Sequence, residues 1–215
     1  MCFLPLENSF FFPYTVHENT NRGDLPMKSA LLVIDMQNGF LCPRSPLYIA
    51  GAPATVPACA RVIACCRENG VPVVFVTRAY AADGSDVEKP RRAAFLAGGR
   101  PLSPGCGEDI SAAMPPEFGS APEDHHVVKP RYSAFFHTET DELLRRLGVS
   151  HVILAGTTTP NCIRTSCYDA ISLDYDVTVL SDCTSSVTDE IQRANLEDMA
   201  RAGARIARSD ELVFD

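Results

Sequence analysis

No stretch of this 215-residue chain approaches the ~18 consecutive apolar residues that a bilayer-spanning helix needs, so membrane insertion is not expected. Basic residues are in deficit: 19 Lys and Arg face 27 Asp and Glu, giving a net charge of −8 and a pI near 5.1. A field of that sign repels phosphate backbones, and no local Lys/Arg stripe reverses it, which argues against nucleic acid as a partner. Nine cysteines are present, yet none are paired at zinc-knuckle or C-x-x-C spacing. Their odd number, with no basic and apolar secretory segment, points to reduced thiols in a cytoplasmic protein rather than a disulfide framework. Histidine is sparse. His17 lies far from the other four, His151 begins a strand, and the consecutive His125 and His126 point to opposite faces, leaving only His137 near a crevice. A catalytic divalent site takes about three protein ligands. No metal and no cofactor is therefore expected.

What remains is the composition of a globular domain, 46% hydrophobic and 21% charged, at a length suited to one core. Residues 1–26, with Phe10-Phe11-Phe12-Pro13 and the polar run His17 to Asp24, read as an N-terminal extension to a domain over 27–215. Apolar branched runs mark buried strands at Ala30–Ile34, Val71–Thr77, His126–Val128, His151–Ala155, Val177–Leu180 and Ala204–Ile206. Helical spacing appears between them, at Thr55–Asn69, from an N-cap at Thr138 to Gly148, at Ile163–Leu173 and at Thr188–Arg201. The stretch Ala79–Asp124 is rich in Gly, Pro and Ser and only weakly periodic, as functional loops or lids are. Strict strand–helix alternation predicts a mostly parallel sheet covered by helices on both faces.

In open parallel sheets the ligand crevice lies beyond the carboxyl ends of the strands. Asp35, Arg78, Tyr80, Lys129 and the turn Gly156–Cys162 all follow strands at that edge, with Asp182 and Cys183 weaker candidates. Cys162 opens a helix, where the positive terminus is expected to lower its pKa and free backbone N–H groups to hold an oxyanion. Taken alone, a buried core cysteine is the better reading of it. Asp35, after five apolar residues, reads either as a proton-transferring acid or as a loop cap. Lys129 reads either as a solvated strand-end lysine or as a charge that positions the other two. Convergence of all three favours the chemical reading.

The segments Leu32-Val33-Ile34-Asp35-Met36-Gln37-Asn38-Gly39-Phe40, Val128-Lys129-Pro130-Arg131-Tyr132-Ser133-Ala134-Phe135 and Gly156–Cys162, running on to Thr165 and Asp169-Ala170, resemble the isochorismatase-like cysteine hydrolases. The resemblance runs in order over residues 28–207. It implies a three-layer α/β/α fold with a six-stranded parallel sheet and a catalytic triad of Asp35, Lys129 and Cys162. It also implies a non-proline cis peptide at Thr157-Thr158 and an oxyanion hole from the backbone N–H groups of Thr158 and Cys162. Isochorismate-cleaving members lack the cysteine kept here. Nicotinamidases place Asp-x-His and a further His after the second strand to hold a metal, where this chain reads Thr77-Arg78-Ala79-Tyr80-Ala81-Ala82-Asp83-Gly84. The stretch Lys129–Ser133 is more similar to ureidoacrylate amidohydrolases and the related ureide, biuret and carbamoyl-amine hydrolases.

A small amide or ureide is the implied substrate, with Gln37, Phe40, Tyr80 and Tyr132 as expected pocket residues. The family usually forms homo-oligomers, so a dimer or tetramer is expected, with Phe10-Phe11-Phe12 offering apolar surface. Three alternatives stand beside this reading: a nicotinamidase-type amidase, a non-catalytic binder on the same fold, and a redox sensor pairing Cys162 with Cys167. The spacing of those two cysteines on one helix makes a local disulfide awkward.

Overall fold

A computed structural model describes residues 28–103 and 111–214. The expected N-terminal extension, with its Phe10-Phe11-Phe12 segment, lies outside the described residues. Six strands form one sheet: β1 (Ser29–Ile34), β2 (Val73–Arg78), β3 (His125–Lys129), β4 (His151–Thr157), β5 (Asp176–Ser185) and β6 (Arg205–Ala207). Their order is β3-β2-β1-β4-β5-β6 and every pairing is parallel. The chain order reverses beside β1, so the crevice expected of such sheets opens at the carboxyl ends of β1 and β4.

Among the described residues six α-helices accompany the sheet: α1 (Asn38–Leu41), α2 (Ala52–Glu68), α3 (Arg92–Ala97), α4 (Thr140–Arg146), α5 (Arg164–Ser172) and α6 (Asp189–Arg201). Strand residues alternate between two apolar faces, which is why the runs look continuous in sequence. Leu31, Val33, Phe75 and Ile153 pack with Cys59, Val62, Ile63 and Cys66 of α2. Leu32, Ile34, Val74 and Leu154 face the other way, against Leu143, Leu144, Ile163, Cys167, Ala170 and Met199. The three-layer α/β/α architecture is thus observed. Among the described residues no helix is long and apolar enough to cross a membrane.

Boundaries differ from expectation where polar residues enter elements. β5 continues to Ser185 rather than ending at Leu180, because Cys183, Thr184 and Ser185 are buried and re-pair with β4 after a register shift between Leu154 and Gly156. Helix α2 begins earlier than Thr55, with Pro53 in its first turn, where no backbone donor is needed. Helix α4 starts at Thr140 with Glu139 in the cap position; Thr138, one residue earlier than that, still accepts from Thr140 N at 3.3 Å while its hydroxyl donates to Ala134 O. The long stretch after β2 contains α3 and a short 3-10 turn at Pro116–Phe118. Phe40, Tyr80, Val87, Phe95 and Leu102 bury one another there, forming a small core of their own beside the crevice.

Candidate active site

β1 delivers Asp35 to the crevice in a left-handed backbone conformation, φ 54°, with its N–H bonded to Val76 O at 2.8 Å. Lys129 ends β3, two strands away, and the length of its side chain spans the intervening β2. Its Nζ lies 2.8 Å from Asp35 Oδ2, 3.0 Å from Arg131 O and 3.6 Å from Cys162 Sγ. Asp35 and Lys129 are both 0% exposed. The ammonium is paired with that carboxylate, and the Cys162 thiol also bonds to it. A desolvated ion pair of this kind is costly to form and fixes its members firmly once formed.

The thiol arrives from the other side, on the turn after β4. Gly156 has φ 120°, and a Cβ there would sit 2.0 Å from Ile34 O, so only glycine lets β4 pass β1 this closely. The Thr157–Thr158 peptide is cis. One π-type turn, Thr159–Ile163, then leads into α5. Side-chain bonds hold the turn: Ser166 Oγ donates to Cys162 O at 2.6 Å and accepts from Ala134 N at 2.8 Å, while Thr165 Oγ1 donates to Asn161 O at 2.7 Å. Thr159 Oγ1 ties the same turn to Ser185 O at 2.9 Å.

The expectation of a lowered thiol pKa is overturned. Burial, followed by the Asp35 carboxylate, pushes Cys162 up to about 11, against the opposing pull of Lys129 and Arg78. Desolvation outweighs the helix terminus here because the side chain is enclosed at the crevice floor. The resting group is therefore a neutral thiol beside a carboxylate, which suits proton transfer during attack rather than a standing thiolate.

A cavity of about 320 Å³ opens over the thiol, and Phe40, Tyr80, Tyr132 and Thr158 border it together with Cys162. That volume lies at the low end of small-molecule sites. Gln37 does not join them, contrary to expectation. Its Nε2 donates to Arg78 O at 3.0 Å and Ala112 O at 3.1 Å, and its Oε1 accepts from Arg78 N at 2.8 Å. The amide is consumed in fastening the end of β2, so it belongs to the scaffold.

Three bordering or adjacent charged and polar groups were not assigned to the pocket from sequence: Glu88, Arg91 and Asn161. Arg78, a strand-end candidate, donates from Nη1 to Glu88 Oε1 at 2.6 Å and to the Tyr80 hydroxyl, which in turn donates to Glu88 Oε2 at 3.0 Å. Nothing local marks Glu88 or Arg91, since both fall in the weakly periodic stretch. Asp182, by contrast, accepts from Ser209 N and Oγ at 2.8 and 2.7 Å and serves the β5–β6 connection. Among the described residues no three His, Cys, Asp or Glu side chains gather as a metal-binding group. Cys167 is fully buried in the α5 face of the core.

Residues 29–211 match the Isochorismatase domain family. The chain belongs to the isochorismatase family. It is 37% identical over 183 residues to a probable inactive nicotinamidase of Arabidopsis thaliana, covering 82% of this chain and 90% of that protein. To a ureidoacrylate amidohydrolase of Variovorax paradoxus it is 31% identical over 205 residues, covering 86% and 80%. A crystal structure of an isochorismatase family protein from Desulfovibrio vulgaris superimposes with a TM-score of 0.81 at 41% identity, covering 86% of this chain and 95% of that one. By family the chain is an enzyme of the amidohydrolase kind, several of its relatives being named amidohydrolases, that is, hydrolases of C–N bonds.

Proposed function

We propose that this chain cleaves the C–N bond of a small amide, ureide or carbamoyl amine through a thioester on Cys162. The observation that carries the reading is the fully buried Lys129–Asp35 pair at 2.8 Å with the Cys162 sulfur 3.6 Å from the same ammonium, under a cavity of about 320 Å³. Asp35 accepts the thiol proton as sulfur attacks the substrate carbonyl. Backbone N–H groups of Thr158 and Cys162 hold the tetrahedral oxyanion. Collapse breaks the C–N bond, and Asp35 returns the proton to the departing amine. Water then attacks the thioester while Asp35 takes a proton from it; the second tetrahedral adduct expels the sulfur, which recovers that proton. Lys129 holds Asp35 and the sulfur in register throughout. Phe40 and Tyr132 supply apolar walls for the substrate, and Tyr80, its hydroxyl committed to Arg78 and Glu88, stiffens the third.

A non-catalytic role is the reading that competes, and the Arabidopsis relative described as probably inactive gives it a specific ground. Two features support catalysis instead: each triad position holds a group able to do its step, and the three meet at bonding distances rather than scattering. The test is ammonia or amine release from a panel of small amides, ureides and carbamoyl amines. Turnover by the wild type, lost by at least about 100-fold in a folded Cys162→Ser protein, is expected from removal of a nucleophile. Activity of the serine variant within tenfold of wild type rules out the thioester route; a panel with no turnover favours the binding role.

A further inference from the structure

We infer that the substrate carries a single negative charge, a carboxylate held by Arg78 and Arg91, a proposal that rests on the amidohydrolase reading and narrows it. Arg78 is 1% exposed and borders the cavity. Its Nη1 is used by Glu88 and Tyr80, whereas Nε and Nη2 meet no acceptor among the described residues. Guanidinium N–H groups kept from water without a partner are costly, so a site that leaves two of them open is built around an acceptor that arrives with the ligand. Their arrangement in one planar fork matches the two oxygens of a carboxylate.

Charge accounting leads to the same ligand. Around the cavity Arg78 is balanced by Glu88 at 2.6 Å, and Lys129 by Asp35 at 2.8 Å. Arg91 also borders the cavity and lies over the Tyr132 ring at 5.0 Å, yet it has no acidic partner among the described residues. Arg78 lies over the same ring at 5.3 Å, so Tyr132 stands between the two guanidiniums as a shared stacking face. One positive charge, that of the half-exposed Arg91, is thus in excess around the cavity, which a monoanion neutralises and a neutral or cationic amide does not. The carboxylate lies on the Arg78–Arg91 side and the scissile carbonyl over Cys162, a span that a chain of a few carbons covers in a cavity of this size.

The experiment compares succinamate with its neutral counterpart succinamide, by calorimetric binding to the Cys162→Ser protein and by turnover in the wild type. Succinamate is expected to bind at least tenfold more tightly. Loss of one charge-assisted contact costs about tenfold to a hundredfold in affinity. Arg91→Gln is therefore expected to reduce the succinamate-to-succinamide ratio by about that factor, and Arg78→Lys, which keeps the charge beside Glu88 but removes the fork, to do likewise. Equal binding of the two probes overturns the proposal, as does a ratio unchanged in both variants. Because Arg91 is half-exposed, its variant keeps the test decisive if Arg78→Lys does not fold. Wild-type turnover of succinamide in preference to succinamate sinks the carboxylate subsite and leaves the amidohydrolase intact. Charge-selective binding without turnover of either probe upholds the subsite and counts against hydrolysis.

Discussion

Replacing Lys129 with methionine keeps the side-chain volume but leaves the Asp35 carboxylate buried at 0% exposure without its partner at 2.8 Å. Breaking a buried ion pair by removing one member costs about 3–5 kcal/mol. In a domain of this size each kcal/mol moves the melting temperature by about 2–4 °C, so Lys129→Met is expected to melt about 6–20 °C below wild type. The companion change is Asp35→Asn, since asparagine tolerates the left-handed φ of 54° at that position better than other replacements. With both charges gone, the double variant is expected to recover about 2 kcal/mol or more relative to the sum of the singles, a coupling typical of groups in direct contact. Urea denaturation of the four proteins at one fixed concentration, followed by circular dichroism, measures the cycle. Lys129→Met within about 1 kcal/mol of wild type, or strictly additive single changes, would refute the claim that the pair is desolvated and mutually dependent.

Burial raises the Cys162 thiol to about 11 and the Cys66 and Cys167 thiols to about 12. A raised folded-state pKa means that the stabilisation is complete below the unfolded value of 9.0 and is lost as pH climbs through the folded values, so the urea midpoint is expected to fall between pH 8 and pH 10. An unchanged or higher midpoint at pH 10 contradicts it. His151 is shifted the opposite way, lowered by burial between Ser29 Oγ and Thr178 Oγ1, both at 2.8 Å. Its contribution is present above the ordinary imidazole value of 6.5 and drains away as pH falls below it, so His151→Gln should flatten the stability loss between pH 7 and pH 5. Dialysis against EDTA, with metal removal confirmed by elemental analysis, is expected to leave turnover of the best amide unchanged; loss restored by zinc, iron or manganese would put metal-dependent chemistry in its place.

The layered fold was legible because its signal is local and repeated. Five apolar residues before Asp35, and a branched run before Gly156, are what strands buried on both faces require. The meeting of Asp35, Lys129 and Cys162 was legible for a related reason: strand ends are where such sheets bind ligands, so these residues stood out by position. The pocket wall was not. Gln37 sits beside Asp35 in sequence, yet Arg78 at the end of β2, through two backbone contacts, and Ala112, through a third, claim its amide in a way no pattern announces. Glu88 joins Arg78 from ten residues away through the weakly periodic stretch, where neither period nor capping chemistry applies. The thiol pKa was misjudged because a helix terminus is visible in sequence, whereas the depth of burial that overrides it is a property of the assembled crevice.

Lys129 belongs to the strand at the border of the sheet, five residues long and paired on one side only, with β2. Interior strands such as β1 and β4 are secured from both flanks, and their opening approaches global unfolding in cost; a border strand opens at far less. The residue that anchors the buried carboxylate is thus carried by one of the more weakly tethered parts of the scaffold. Fluctuations that peel β3 away part Lys129 from Asp35 and Cys162 while most of the domain stays intact, so the thermal tolerance of the candidate site is set by its periphery rather than by its core.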